Sequence, residues 1–208
     1  MDQAYLKKAK HHHQLLLQED ERQEYINDSA GRRYLAGVYY YLAGAHKKAF
    51  NYYTWYDQKF FEKVHEPICS LFGALTAHKN KCEKIARLRL INTLFSNLYL
   101  LPSIINEPIE RLPMWHGLSW GYPEYLSEHE FQIYGVMYDI NDEERRWIKK
   151  EYKSFLFSRL RDEYLRLEYE NYCLPLDDNS AEKRSQLRKK WELFKTRVLY
   201  DFGLTTKD

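Results

Sequence analysis

The chain has 208 residues with 32 Lys and Arg against 30 Asp and Glu. A net charge of only +2 excludes a strong overall field for nucleic acid or an anionic membrane. Hydrophobic residues make up 44% and aromatics 16%, which suits a packed core and excludes disorder by composition. With 8 Gly and 6 Pro among many Leu, Lys, Glu and Arg, the composition favours helices over a turn-rich β design.

Helical spacing of Leu6, Ala9, His13, Leu16 and Leu17 predicts a polar helix over 3–27. Asn27, Asp28 and Ser29 offer an N-cap for a second helix over 30–43, stopped by Gly44. A third runs over 45–65 and ends at Glu66-Pro67, a fourth over 67–79, and a fifth over 81–100, stopping before Pro102. Four of the six prolines fall in 101–126, which reads as a long loop or a break between helical layers. Ser127-Glu128-His129-Glu130 matches a capping box for a helix ending near Asp139, and Asn141-Asp142 caps the next. That next helix reads as one long amphipathic element over 143–172, with Glu143, Glu144 and Glu151 on a charged surface. Residues 174–180 form a loop, and a last helix covers 181–200.

The segment from Ala36 to Tyr53 is the most informative. Gly37 lets a neighbouring helix approach closely, and Gly44 suits a left-handed helix end. Ala49 is small where two antiparallel helices cross, and Tyr40 and Tyr53 fill the space around those contacts. This spacing resembles the tetratricopeptide repeat, with Gly37, Tyr40, Gly44, Ala49 and Tyr53 at its five positions. Arg33 stands where that family has Trp, and Ala36 where it has Leu. A degenerate copy follows 36 residues later at Gly73, Thr76, Asn80, Ile85 and Arg89, in which Gly73 matches and Asn80 is an acceptable left-handed cap. Tyr134 to Tyr138 repeats part of the pattern, with Trp147 where a small residue is wanted.

The resemblance implies an all-α fold of antiparallel helical hairpins in a tetratricopeptide-like right-handed stack, with 1–27 and 181–200 as extra capping helices. The organisation expected is a single all-α domain over 1–208, divisible into repeat-like helices (1–100), a Pro/Gly/Trp loop (101–126) and C-terminal helices (127–208). Stacked hairpins of this kind hold partner proteins. The expected function is therefore a non-catalytic interaction module: an adaptor, a chaperone or a toxin-neutralising immunity-type protein. Exposed aromatics anchor interfaces, which makes Tyr39, Tyr52 and Tyr56 candidates, with His46 and Lys47 on the adjacent turn. The alternative is a nucleic-acid-associated accessory protein using the basic last helix through Arg188, Lys189 and Lys190, against which stands a simple amphipathic helix packing by Leu187, Trp191, Phe194 and Val198.

Catalytic and metal-binding signals are poor. Gly117-Leu118-Ser119-Trp120-Gly121 matches the G-x-S-x-G string of serine hydrolases, but no strand–turn–helix surrounds it. His11, His12 and His13 are consecutive and diverge by about 100° each on a helix, so they do not converge on one ion. No P-loop or GxGxxG is present, and no cofactor is expected. Cys69, Cys82 and Cys173 are odd in number and form no CxxC, which favours a reducing compartment. Met1 to Lys10 lacks an apolar signal region and no run of 18 apolar residues exists, so a cytoplasmic protein without a membrane partner is expected.

Overall fold

In the computed structural model, described for residues 1–22, 31–60, 66–113, 121–128, 139–174 and 181–203, the protein is all-α. Ten helices and no strand occur among these residues. They are α1 (Gln3–Arg22), α2 (Arg32–Leu42), α3 (His46–Lys59), α4 (Pro67–Lys79) and α5 (Glu83–Ser96). Then follow α6 (Leu100–Ile104), α7 (Glu124–Glu128), α8 (Asp142–Tyr152), α9 (Phe155–Tyr172) and α10 (Ala181–Asp201). The chain forms two compact units, Met1–Thr93 and Leu94–Asp208, so the division falls within α5 and not in the proline-rich stretch. No helix among the described residues is long and apolar enough to cross a membrane.

The first unit is built on α4. Every residue from Pro67 to Ala77 is buried, which fits a helix apolar on all sides, and α4 packs against both α2 and α3. Its start is locally encoded: Glu66 accepts from the Cys69 N–H at 2.7 Å, and Pro67 sits at the first helical position, where its missing N–H costs nothing. Leu6, Ala9 and Leu16 turn the buried face of α1 onto α2, while Leu17 is 38% exposed and lies off that stripe. Gly44, at φ +71°, reverses the chain between α2 and α3, and the N–H groups of Gly44 and Ala45 donate to the Tyr41 and Tyr40 carbonyls. α3 ends at Lys59; residues 61–65, over which the third helix was expected to continue, lie outside the described residues.

Two glycines set the packing. A Cβ on Gly37 would stand 2.5 Å from Tyr53 Cζ, 2.8 Å from its hydroxyl and 2.9 Å from Tyr52 Cδ1. A Cβ on Gly73 would run into the Arg89 guanidinium and come within 3.3 Å of Tyr53 Cδ1. Each glycine thus opposes the residue sixteen positions on: Gly37 faces Tyr53 and Gly73 faces Arg89. Arg89 lies over the Tyr53 ring at 5.0 Å, donates to the Tyr53 carbonyl at 2.9 Å and pairs with Asp57. The expectation of a left-handed Asn80 is corrected. Asn80 has φ −90° and its side chain donates to the His46 and Thr76 carbonyls, while Lys81 takes the left-handed conformation at φ +61°. Arg33 spreads its guanidinium over the Tyr34 and Phe60 rings, so a cation covers aromatic surface at the position where the repeat family places Trp.

The buried Tyr53 hydroxyl has no hydrogen-bond partner among the described residues. Tyr53→Phe removes that polar group without changing the ring, so it is expected to leave stability unchanged or raise it by up to about 1 kcal/mol, measured as the urea midpoint. A loss above about 1 kcal/mol would mean that the hydroxyl is bonded.

In the second unit several expected boundaries shift. The fifth helix stops at Ser96 because Asn97 intervenes, its Oδ1 accepting from the N–H groups of Tyr99 and Leu100 at 2.8 and 2.9 Å. Pro102 then lies in the first turn of α6, where no helical donor is lost, so the segment read as a loop from 101 begins as helix. Ser127 is inside α7 and donates to the Glu124 carbonyl, so a helix has begun before it; His129 and Glu130 of the expected capping box lie outside the described residues. The element expected over 143–172 is two helices, because Ser154 caps α9 by accepting from the Phe157 N–H at 3.3 Å. Asn141 and Glu144 form the capping box of α8, and Glu144 and Glu151 are buried instead of lying on a charged surface. Asn141→Ala removes this box and is expected to cost about 1 kcal/mol by chemical denaturation.

α9 and α10 make an antiparallel hairpin around Leu160, Leu167, Leu187, Phe194 and Val198. Phe95 and Tyr164 stack at 4.5 Å, with the Tyr164 hydroxyl donating to the Phe95 carbonyl at 2.8 Å. Arg159–Asp201, Glu163–Arg197 and Glu170–Lys190 cross the hairpin in one antiparallel register.

Candidate functional site

Tyr39, His46 and Lys47 lie on one edge of the first unit, where α1, α3 and α5 begin. Three segments meet there by hydrogen bonds. The Asp2 N–H donates to the Ala43 carbonyl at 3.1 Å, which brings the start of α1 to the end of α2. The Asn80 amide donates to the His46 carbonyl at 3.2 Å, which brings the α4–α5 turn to the start of α3. His46 is half-buried against the Tyr41 ring at 5.0 Å, and Lys47 is exposed.

Tyr39 is half-buried with its ring stacked on Tyr5 at 6.0 Å and on His12 at 5.6 Å, both interplanar angles being 23°. Tyr5 and His12 are seven residues apart on α1, about 10 Å along its axis, so the Tyr39 ring sits between them. Lys8 lies over both tyrosine rings at 5.8 and 5.5 Å. Tyr39 therefore backs a cationic edge and has little ring face left for a partner.

Tyr52 and Tyr56 are corrected as surface candidates: they are 1% and 2% exposed. Tyr52 donates to the Arg33 carbonyl at 2.6 Å, and Tyr56 packs on Phe60 with ring centroids 4.9 Å apart. Burial raises the pKa of Tyr56 and of Cys69 nearby, so both stay protonated and neither is poised as a nucleophile. Desolvation also raises the Asp57 carboxyl, with Arg89 offsetting part of the effect.

Besides Lys47, the edge contains five cations that sequence reasoning did not single out. Lys7 and Lys8 on α1, Lys47 and Lys48 on α3, and Lys81 and Lys84 at the start of α5 are all exposed, and none pairs with an acid among the described residues. The two acids at this edge are occupied: Asp2 accepts from the Ala4 and Tyr5 N–H groups, and Glu83 contacts His78 at 2.8 Å. The other end of the hairpin is compensated, by Glu19–Arg32 at 2.6 Å and by Asp20–Lys59. A signal for this segregation was available in the sequence: residues 29–56 contain no Asp or Glu.

On α10, Arg188, Lys189 and Lys190 are exposed, but Lys190 pairs with Glu170. Lys195 and Arg197 on the same helix pair with Glu192 and Glu163, so the basic character of α10 is partly neutralised. Leu187, Phe194 and Val198 are buried, as an amphipathic packing helix requires. Ser119 and the adjoining Gly117, Leu118 and Trp120, together with His129-Glu130 and Tyr134 to Tyr138, lie outside the described residues. Among the described residues no group of His, Cys, Asp and Glu has the arrangement of a metal site, and the three cysteines are free thiols.

His13 gives the first unit a pH dependence. Its ring packs against Tyr40, Tyr52 and Trp55, and Nδ1 lies 3.2 Å from the Tyr40 oxygen. Burial holds its pKa below 6.5. The unfolded chain therefore binds a proton near pH 6.5 that the folded one refuses, and stability falls as the pH drops below that value, until the folded-state pKa is reached. Between about pH 7.5 and about pH 5.5 the urea midpoint of wild type should drop more than that of His13→Gln; equal slopes would remove His13 as the cause.

No family model, no curated protein and no solved structure matches the chain significantly.

Proposed function

We propose that the protein is a non-catalytic helical module that binds another protein through the edge where α1, α3 and α5 begin. The observation that carries this reading is the group of six exposed lysines, Lys7, Lys8, Lys47, Lys48, Lys81 and Lys84, with no acid partner among the described residues. Unpaired like charges repel one another and add nothing to folding, so a group of them is better explained by association than by stability. The tetratricopeptide-like reading supports the same class. In both hairpins a glycine on the first helix opposes a large side chain sixteen residues on, Tyr53 in one and Arg89 in the other. Repeated hairpins of that kind offer a rigid frame for a partner. Adaptor, chaperone and toxin-neutralising roles all fall within this class.

The test is chemical cross-linking of the tagged full chain in native lysate at low salt, with nuclease present. One protein recovered in stoichiometric amount is the expected result. Recovery of nucleic acid without a protein when nuclease is omitted, lost on Arg188→Glu/Lys189→Glu, would move the function to α10.

A further inference from the structure

The charge of the chain is divided unevenly. Residues 1–93 carry 15 Lys and Arg against 10 Asp and Glu, while residues 94–208 carry 17 against 20, so the near-neutral total conceals a basic first unit. Within that unit Glu19 and Asp20, at the far end of the α1–α3 layer, are matched by Arg32 and Lys59. Six exposed lysines with no acid partner among the described residues stand where α1, α3 and α5 begin.

Local chemistry runs against stability at the start of α3, whereas α1 and α5 begin with Asp2 and Glu83. A helix carries partial positive charge at its N-terminus, which acids offset and lysines aggravate. α3 nevertheless opens with His46, Lys47 and Lys48, has no acid in its first turn and receives no side-chain cap from Ala45. Residues that break a local rule without a compensating contact are expected where function requires them. Resting on the binding-module reading above, we infer that this edge receives an acidic protein segment, rich in Asp and Glu, whose carboxylates lie against Lys47, Lys48, Lys81 and Lys84.

Two observations favour a carboxylate-bearing protein over nucleic acid. The six cations named at the edge are all lysines, whereas Arg32, Arg33 and Arg89 are spent on Glu19, on the Tyr34 and Phe60 rings, and on Tyr53 with Asp57. Arginine is the side chain whose planar fork grips phosphate in bidentate fashion, and none of these six cations is an arginine. Single strands also need exposed ring faces for base stacking, and the Tyr39 ring is already held between Tyr5 and His12.

The experiment titrates a fluorescein-labelled oligoglutamate peptide into the full chain and follows anisotropy at about 50 mM and about 300 mM salt. Two charge-reversal variants, Lys47→Glu/Lys48→Glu and Lys81→Glu/Lys84→Glu, are compared with Arg188→Glu/Lys189→Glu on α10. Binding is expected at low salt, weakened at high salt, reduced about tenfold or more in each edge variant, and retained in the α10 variant. Acids in the first turn of α3 suit the helix, so Lys47→Glu/Lys48→Glu should melt no lower than wild type, which separates lost binding from lost folding. No binding of oligoglutamate at low salt overturns the inference, as does an equal loss in the α10 variant. A single-stranded oligothymidylate or phosphatidylserine vesicles binding at lower concentration than oligoglutamate also overturns it. A protein cross-linked equally by wild type and both edge variants would sink this inference and the edge as the docking face while leaving the class of non-catalytic binding module intact; failure to recover any protein would sink that class itself.

Discussion

Gly37→Ala is expected to destabilise the protein by about 2 to 3 kcal/mol, as overpacking of a tight core does, seen as a lower urea midpoint with little change in slope. The added Cβ would stand 2.5 Å from Tyr53 Cζ and 2.9 Å from Tyr52 Cδ1. Neither ring can swing away. Both are 1% exposed, and Tyr53 is covered by Arg89 while Tyr52 is tied to the Arg33 carbonyl. The backbone of α2 must therefore move off α3. On helix propensity alone the same substitution would stabilise α2 by about 1 kcal/mol, so the sign of the effect decides between close approach and ordinary helix packing. Gly37→Ala melting at or above wild type would refute the close approach.

Arg89→Leu is expected to cost about 2 to 4 kcal/mol, and Asp57→Asn less than about 1 kcal/mol. The asymmetry follows from burial. The Arg89 side chain is 11% exposed and satisfies the buried Tyr53 carbonyl while covering its ring, whereas the Asp57 side chain is 44% exposed and water replaces its partner. Leucine removes the guanidinium's bond to that carbonyl, which is left with only its bond within α3, and does not fill the space that Gly73 opens for the guanidinium. Equal losses in the two variants, by chemical denaturation, would mean that the ion pair itself is the stabilising feature. In a double-mutant comparison, Gly73→Ala should cost much less in the Arg89→Leu background than in wild type, because the guanidinium, its nearest collision, is gone and only the 3.3 Å approach to Tyr53 Cδ1 remains.

How much of this was legible can be followed element by element. The α4 bounds, the Gly44 turn and the Asn141 cap are written in a few adjacent residues. The break between α8 and α9 was missed because Ser154 lies inside an amphipathic pattern that continues on both sides, and only its bond to the Phe157 N–H marks the stop. Tyr52 and Tyr56 were misread because both sides of α3 had to be considered. One tyrosine-rich helix cannot say which rings its neighbours will cover, and here α2 and α4 both pack on it.

The candidate edge divides the same way. The acid-free run over 29–56 and the lysines at 47 and 48 are properties of the chain. That Lys81 and Lys84 join them depends on Asn80 reaching the His46 carbonyl, a contact 34 residues apart in sequence. That Arg89 takes the place of an aromatic ring depends on Gly73 clearing space for it. By itself the sequence determined the helical class, the glycine-marked hairpin and the Asn141 cap, because helix periodicity and capping are local and act within a turn or two. Which tyrosines are buried, which cations remain unpaired and where they gather were decided only by tertiary packing, because burial and charge pairing depend on residues that the chain brings together from far apart.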